Sequence, residues 1–432
     1  METIKQTLNR KLPPLIKDAI EFDLKLKPYE KHVLNNGTEV FVIDAGAEEV
    51  LQLEWVFYAG NCYEEKNILA ASANYLLKNG TRNKTAFGIN EHFEFYGAYL
   101  NRHCYNETAS ITLHSLSRHL AELLPVVAEL LTDSIFPEDE LSIYRQNQKQ
   151  SLAVNLKKCD FVANRLIDEY VYGFTHPYGK YASTLDYDNV QRNDLIRFFD
   201  EFYLNGKCML FVAGNLPQDI DKLLNQHFGS LQLNKKEAPL IHYDHSPSTE
   251  KKHKLINDAN GVQAAIRLSR LFPNRHHPDF IKAQVLNNIF GGYFGSRLMS
   301  NIREDKGYTY GIHSYLENHI HESAWTVSTE AGRDVAEATV VEIYKEMQRL
   351  CDEAVDEEEL HLVRNHMIGS ILGDLDGPFQ IISRWKNYIL NNLTADYFDR
   401  SISTIKTITA EEIRELAVKY FKPEEFYELT VI

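Results

Sequence analysis

The feature of this sequence that most constrains its fold is an internal repeat. The segment SITLHSLSRHLAELLPVVAELL, which begins at Ser110, matches AWTVSTEAGRDVAEATVVEIYKEM, which begins at Ala324. Each reads as an alternating strand, a short polar step and an amphipathic helix with apolar residues at helical spacing. Self-similarity of this kind predicts two structurally equivalent halves within one chain.

Two pairs of arginines align the halves. Arg118 falls on Arg333, an offset of 215 residues, and Arg145 falls on Arg364, an offset of 219 residues. The offset therefore changes by four residues between the first repeated helix and the second. Because loops tolerate insertions better than helices do, the change predicts an insertion in the connecting loop.

The order of the predicted elements indicates an α+β fold, in which each half has a mostly antiparallel sheet packed with helices on one side. Between the halves lies QLNKKEAPLIHYDHSPSTEKKHK, which is polar and contains two prolines. These observations predict an N-terminal extension over 1–30, a first domain over 31–231, a linker over 232–254 and a second domain over 255–432.

Composition excludes several classes of protein. A formal charge of −15 argues against a nucleic-acid-binding surface, which needs a basic face. No apolar run approaches ~18 residues, so no membrane span is expected, and the first residues lack the apolar core of a secretory signal. The five cysteines form no CxxC pair. Reduced thiols and the missing signal together predict a cytoplasmic protein.

Several motifs resemble those of the pitrilysin/insulinase (M16) family of zinc peptidases, in its two-repeat form. The resemblance covers roughly residues 30 to 432 and implies that the two halves are M16-like domains that close as a clam-shell. The motifs that carry it are AGNCYE at 59–64, NGT at 79–81, GAYLN at 97–101, HPYGKY at 176–181 and GGYFGSRLMSNIREDKGYTYG at 291–311.

In that family the helix after AGxxYE carries HxxEH, whose two histidines bind Zn²⁺ while the glutamate activates water. Counted back from NGT, these positions are taken here by Ala71, Asn74 and Tyr75. A third ligand, a glutamate, is implied near residues 150–152, but no glutamate occurs from 141 to 168. We therefore expect no metal or other cofactor in this chain.

The second half keeps Arg303 and Tyr310 in the setting NIREDKGYTYG. The resemblance implies that this tyrosine donates a hydrogen bond to the oxyanion of the reaction intermediate and that the arginine fixes the substrate backbone. The alternative is that Arg303 is only a surface charge at the end of a helix and that Tyr310 is an ordinary aromatic residue of a strand. Strand alternation puts Tyr308 on the same face as Tyr310. Tyr310 is therefore preferred to Tyr308 only by register, that is, by its position along the strand.

The segment GAYLNRHCYNETASITLHS predicts an antiparallel hairpin. The resemblance implies that an extended peptide adds to its edge strand, with Asn101 and Glu107 as substrate-binding residues. The alternative is a hairpin in which Asn106 and Glu107 only turn the chain.

Two histidine-containing segments are expected to be solvated. The segment HIHE, with His319, His321 and Glu322, alternates along a predicted strand, and an exposed hairpin is favoured over a metal site. The linker residues expected to be exposed are His242, Asp244 and His245.

Two functional hypotheses follow. The first is a non-catalytic, zinc-free subunit of an M16-type metallopeptidase, which binds a peptide or unfolded protein and supplies Arg303 and Tyr310 to the zinc site of an HxxEH-bearing partner. The partner is then a paralogue in a heterodimer, or a second copy of this chain in a homodimer. The alternative is a structural scaffold or peptide-binding homologue with no catalytic role.

Overall fold

The computed structural model of the chain describes residues 17–237 and 243–432. Part of the predicted N-terminal extension and His242 of the predicted linker lie outside these ranges. Across the ranges that are described, no helix combines the length and the apolar character that crossing a bilayer requires.

The first half is built on a six-stranded sheet with the order β1-β2-β6-β3-β5-β4. Its strands are β1 (Glu30–Val33), β2 (Glu39–Asp44), β3 (Val50–Phe57), β4 (Tyr99–Cys104), β5 (Ala109–Leu116) and β6 (Cys208–Gly214). Neighbours run antiparallel except β2 and β6, which are parallel. Its helices are α1 (Leu69–Leu76), α2 (Ala86–Phe95), α3 (Leu120–Asp133), α4 (Glu138–Asn155), α5 (Cys159–Tyr172), α6 (Thr184–Asn189), α7 (Arg192–Phe199) and α8 (Ile220–Phe228).

The second half has a five-stranded sheet with the order β7-β11-β8-β10-β9. Its strands are β7 (Lys252–Leu255), β8 (Gln263–Phe272), β9 (Thr309–Leu316), β10 (Ser323–Gly332) and β11 (Tyr427–Val431). Only β7 and β11 are parallel neighbours. Its helices are α9 (Phe280–Asn287), α10 (Ala336–Asp352), α11 (Glu357–Gly373), α12 (Pro378–Leu390), α13 (Ala395–Thr407) and α14 (Ala410–Tyr420). The predicted α+β fold with two mostly antiparallel sheets is confirmed.

The repeat is visible in both halves as a strand, a 3₁₀ turn and a helix: β5, Ser117–His119 and α3 in the first, and β10, Arg333–Val335 and α10 in the second. The expected loop insertion is wrong. The loops after α3 and α10 are both four residues long, 134–137 and 353–356. Instead, α10 has 17 residues and α3 has 14, which accounts for three of the four residues. The fourth arises because Arg118 is the second residue of its 3₁₀ turn and Arg333 is the first of its own.

The second arginine pair occupies equivalent positions. Each guanidinium donates to a backbone carbonyl near the start of a later helix, Arg145 to Val190 and Arg364 to Ile408. Each also pairs with a glutamate in the first turn of its own helix. These bonds tie together the helices of each half, which explains why the repeat retains an arginine at both positions.

Each half packs its own helices on one face of its sheet. In the first half, alternate residues of β3 such as Leu53 and Trp55 are buried against α3, α7 and α8. In the second half, Ile266 of β8 and Trp325 of β10 are buried among the helices that follow them. The period-two alternation of these strands directs one set of side chains to each face.

The opposite face of each sheet receives a helix from the other half. Helix α5 of the first half buries Val162 and Ile167 against the second sheet, where Leu429 lies in the same cluster. Helix α12 of the second half packs Trp385 against the first sheet, in one cluster with Phe41. This reciprocal exchange joins the halves.

A polar cavity of about 880 Å³ remains between the halves. The first sheet contributes Gln52 and Glu54 to its wall, and the second half contributes Arg275, Gln284 and Lys386. The two halves therefore line an open polar cavity between them.

Candidate functional site

The turn AGNCYE holds the start of helix α1. Both oxygens of the Glu64 carboxylate accept backbone N–H bonds, from Ile68 at 3.1 Å and Ala70 at 2.9 Å, which caps the helix. The carboxylate also pairs with Lys180 of HPYGKY at 2.6 Å. Burial raises the pKa of Glu64, although Lys180 and the two amides act against the rise. Two of the motifs that carry the resemblance thus fix the position of α1.

The three positions that replace HxxEH lie on α1 but form no metal site. Ala71 has no donor atom. Asn74 is 3% exposed, and its amide nitrogen donates to the carbonyl of Ser110 at 3.3 Å and the hydroxyl of Tyr203 at 3.1 Å. The ring of Tyr75 packs against Tyr144, with centroids 4.8 Å apart.

A positive charge lies next to these residues. The guanidinium of Arg102 donates to the carbonyl of Tyr75 and sits 5.1 Å from the centroid of its ring. Burial lowers the pKa of Arg102 to about 10, which leaves the side chain charged at neutral pH. A fixed cation disfavours a second cation nearby. The residues present therefore do not fit the zinc ion that the resemblance implies for active relatives.

The helix that carries the third ligand in the family is in place. Helix α4 contacts α1 through the hydroxyl of Tyr144, which accepts a hydrogen bond from Ser72 at 3.2 Å. No residue from 141 to 155 is a glutamate. Helices α1 and α4 thus lie in contact, and neither carries a zinc ligand at the positions that the resemblance implies.

Asn74 now supports the fold, and its replacement should show this. Asn74→Ala removes the donor to Ser110 and leaves the buried Tyr203 hydroxyl without this partner, so we expect a loss of about 1–3 kcal/mol in the free energy of unfolding. Urea denaturation measures it. Tyr75→Phe on the same helix keeps the ring contacts and should change stability by less than about 0.5 kcal/mol. Equal losses in the two variants would contradict the assignment.

The structure brings Arg303 and Tyr310 together. Arg303 lies in the last turn of a π-helical segment, Met299–Asp305, and Tyr310 lies at the start of β9. The guanidinium carbon of Arg303 is 4.6 Å from the ring centroid of Phe294 and 5.7 Å from that of Tyr310. Both distances are within the range of cation–π attraction. The tyrosine side chain is 93% exposed.

A β-bulge aims Tyr310 into solvent. Residues 310 and 311 of β9 face the single residue Glu330 of β10, because Ile312 pairs with Thr329 and Thr309 pairs with Ala331. The Thr309 hydroxyl donates to the carbonyl of Glu330 at 2.6 Å and stabilises the bulge. Bulges of this kind redirect side chains next to functional sites.

The bulge corrects one prediction. Tyr308 and Tyr310 were expected on the same face by strict alternation, and this is wrong. Tyr308 precedes the strand and packs partly buried against the core, whereas Tyr310 points outward. The extra residue breaks the period of two, and no sequence pattern around 308–311 shows this.

The predicted hairpin is confirmed: β4 pairs antiparallel with β5, and β4 is the edge strand of the sheet. Asn101 lies half-buried in this edge strand. Glu107 in the turn is 6% exposed, and its carboxylate accepts bonds from the hydroxyl of Tyr178 and the backbone N–H of Ile320. Glu107 thus links the halves, and the substrate-binding role of both residues stays a prediction.

The Arg303–Tyr310 pair and helix α1 do not contact each other. Within 17–237 and 243–432, no hydrogen bond, ion pair or ring contact joins them.

Sequence reasoning missed one cluster. The structure brings His245 and Glu322, both expected to be solvated, next to the buried His176 of HPYGKY. The three residues are far apart in the chain, and no local pattern connects them. Arg102, directly after Asn101 of GAYLN, was also missed, although its position in the motif segment was a usable signal.

Comparison with known proteins agrees with these features. The family model described as "Peptidase M16 inactive domain" matches residues 189–367. A Bacillus subtilis protein named uncharacterized zinc protease YmxG is 24% identical over 85% of this chain and 88% of its own length. A Helicobacter pylori protein named non-peptidase homolog YmxG is 21% identical, over 83% of each chain.

The fold is shared with a solved structure. The crystal structure of a peptidase M16 inactive domain from Pseudomonas fluorescens superposes with a TM-score of 0.84 at 21% identity, over 93% of this chain and 98% of that one. The matched model, the relatives and the fold agree with the motifs from AGNCYE to GGYFGSRLMSNIREDKGYTYG. The chain is therefore similar to M16 peptidases and their homologues: residues 189–367 match the family model, the fold is that of an M16 inactive domain, and the sequence has no HxxEH.

Proposed function

We propose that this chain is the non-catalytic subunit, with no catalytic zinc of its own, of a two-chain M16-type metallopeptidase. It binds peptide in the chamber and supplies Arg303 and Tyr310 to the zinc site of an HxxEH-bearing partner. The zinc ion belongs to that partner. The assembly acts on peptides or unfolded proteins in the cytoplasm.

One contrast carries the proposal: the metal positions are replaced, while the Arg303–Tyr310 pair is assembled and exposed. Asn74 and Tyr75 are engaged in contacts within the first half. Tyr310, by contrast, is 93% exposed, and its hydroxyl has no hydrogen-bond partner among the residues that the structure describes. A free phenol donor beside a guanidinium is suited to stabilise an oxyanion that another chain presents.

Peptide binding is supported by the open edge of β4. Tyr99 and Tyr105, at the two ends of this strand, are 63% and 55% exposed. An extended peptide that pairs with β4 would gain main-chain hydrogen bonds and contacts with these rings. Asn101 in the middle of the strand would contact such a peptide. Binding of this kind tolerates many peptide sequences.

A second candidate function is a scaffold with no catalytic role. The name of the Helicobacter pylori relative, a non-peptidase homolog, favours it. So does the reciprocal exchange of α5 and α12, which joins the halves extensively. In that case Arg303 and Tyr310 are inherited without use.

The test is to purify the full chain with an affinity tag from its native cells and to identify the proteins that accompany it by mass spectrometry. We expect an M16 chain of similar size that carries HxxEH, in equimolar amount. The complex should cleave peptides, and this chain alone should not cleave them. Recovery of this chain alone, or of an assembly without an HxxEH-bearing chain, would refute the proposal in favour of the scaffold.

A further inference from the structure

A buried histidine with an unused ring nitrogen lies where the two halves meet. His176 is 1% exposed and follows helix α5 in a tight turn, where its backbone N–H donates to Gly173 at 3.1 Å. Three tyrosine rings surround its imidazole, those of Tyr172, Tyr178 and Tyr243, with centroids 5.3, 4.8 and 5.1 Å away. Its Nε2 atom is buried and has no hydrogen-bond partner in the described chain.

Two further side chains converge on this nitrogen. Glu322 comes from the turn before β10 in the second half, and its Oε1 lies 3.8 Å from Nε2 of His176. His245 comes from the segment that joins the halves, and its Nε2 lies 2.5 Å from the same oxygen. The second carboxylate oxygen, Oε2, is buried without a partner. The cluster thus contains two orphaned polar atoms, one on each half of the molecule.

The backbone holds the joining segment close to His176. Gly173 has φ +93°, and a Cβ atom there would lie 2.4 Å from Ser246, so the close approach requires glycine. The N–H of Ser246 donates to the carbonyl of Tyr172 at 3.3 Å. His245 is therefore positioned next to the imidazole by its neighbour in the chain.

The carboxylate is poised to be charged. Burial acts to raise the pKa of Glu322, but the interactions with His176 and His245 outweigh it and bring the pKa below its ordinary value. One carboxylate and two imidazoles are a donor set that Zn²⁺ prefers.

We propose that His176, His245 and Glu322 form a structural site for Zn²⁺ that ties the first half, the joining segment and the second half together. The ligand atoms of the three residues lie within 4.8 Å of one another. Ligand atoms around a tetrahedral zinc are roughly 3.4 Å apart. Small movements of His245 and Glu322 bring the three ligand atoms to this spacing, and a water molecule takes the fourth position.

Metal binding changes which ring nitrogen of His176 carries the proton. Its Nδ1 accepts the N–H of Tyr178 at 3.2 Å, so the neutral ring carries its proton on Nε2. Coordination through Nε2 moves the proton to Nδ1, and the Tyr178 amide, two residues away in the same turn, must turn aside. The proton and the metal compete for the imidazole nitrogen, so affinity falls as the pH is lowered.

This site is separate from the replaced HxxEH positions on α1 and does not depend on the proposed function. It also departs from the expectation that the chain binds no metal. Its role is to stabilise the closed arrangement of the halves, because a metal that binds only the folded state stabilises that state.

The test is a titration of the full, chelator-treated chain with Co²⁺, whose visible absorption bands report tetrahedral coordination, followed by displacement with Zn²⁺. We expect one ion per chain and a Zn²⁺-dependent rise in Tm. Glu322→Gln and His245→Asn should each weaken binding by at least about 10-fold to 100-fold, the range for disturbing even the outer partners of a metal site.

His321→Asn is the matched control, because this exposed histidine lies in the same turn but outside the cluster. It should bind as the unmodified chain does. Two results would overturn the proposal: no tetrahedral Co²⁺ spectrum and no Tm shift with the unmodified chain, or equal losses in His321→Asn and Glu322→Gln. In either case the cluster is only a hydrogen-bonded contact between the halves.

Discussion

Tyr310→Phe is expected to lower the turnover of the proposed two-chain complex by about 10²–10³-fold, the measured effect of removing one oxyanion donor. The change deletes only the hydroxyl. The ring remains 5.7 Å from the guanidinium of Arg303, and the bulge that Thr309 stabilises is untouched. The purified complex, assayed with a fluorogenic peptide, should therefore show a reduced kcat with KM nearly unchanged.

The matched control is Tyr308→Phe, two residues earlier. Tyr308 packs partly buried against the core, so its loss of a hydroxyl should leave kcat within about twofold of the unmodified complex, since the group is not an oxyanion donor. Co-purification checks that each variant still binds its partner. Full activity of Tyr310→Phe in an intact complex would show that the tyrosine takes no part in catalysis.

Lys386→Met is expected to cost about 3–5 kcal/mol of the free energy of unfolding, the second large effect. Lys386 of α12 contacts both carboxylate oxygens of Glu54 on β3 at 2.8 Å. Glu54 is 6% exposed, and the change leaves its charge buried without its partner. Equilibrium urea denaturation of the full chain measures the loss. Because this pair joins the halves, their packing should loosen first.

Two further variants test whether the unpaired charge of Glu54 causes this loss of stability. Lys149→Met removes the partner of Asp188 in a pair that is exposed at both ends, and it should cost no more than about 1 kcal/mol. The double variant Glu54→Leu with Lys386→Met removes both charges, so it should recover most of the stability. If the double variant is as unstable as Lys386→Met alone, lost packing and not an unpaired charge is the cause.

Much of the fold could be predicted because local patterns repeat. The strand, turn and helix that follow Ser110 and Ala324 appear as predicted, and the antiparallel hairpin of GAYLN is at the sheet edge. The error in the loop between the repeated helices has a simple origin. Residues added to the helix and residues added to the loop change the offset between the two arginine pairs in the same way, so the offset alone cannot distinguish them.

The candidate site was only partly predictable. The replacement of the zinc positions by Ala71, Asn74 and Tyr75 can be recognised from residue type alone. These side chains lack the imidazole and carboxylate groups of the motif, whatever the fold. The hydrogen bonds that make Asn74 structural depend on Tyr203, which is distant in the chain. No local pattern contains that contact.

The sequence by itself determined the two-half α+β architecture, which follows from the repeat and from periodicity. The resemblance to the M16 family and the replacement of its HxxEH positions were read from the motifs. Only the tertiary structure decided the rest. The bulge turns Tyr310 outward, and α5 and α12 exchange between the halves. Packing brings His176, His245 and Glu322 to one point. The bulge, the exchange of helices and the cluster all depend on contacts between residues far apart in the chain. Burial and hydrogen bonding form these contacts only when the whole chain has folded.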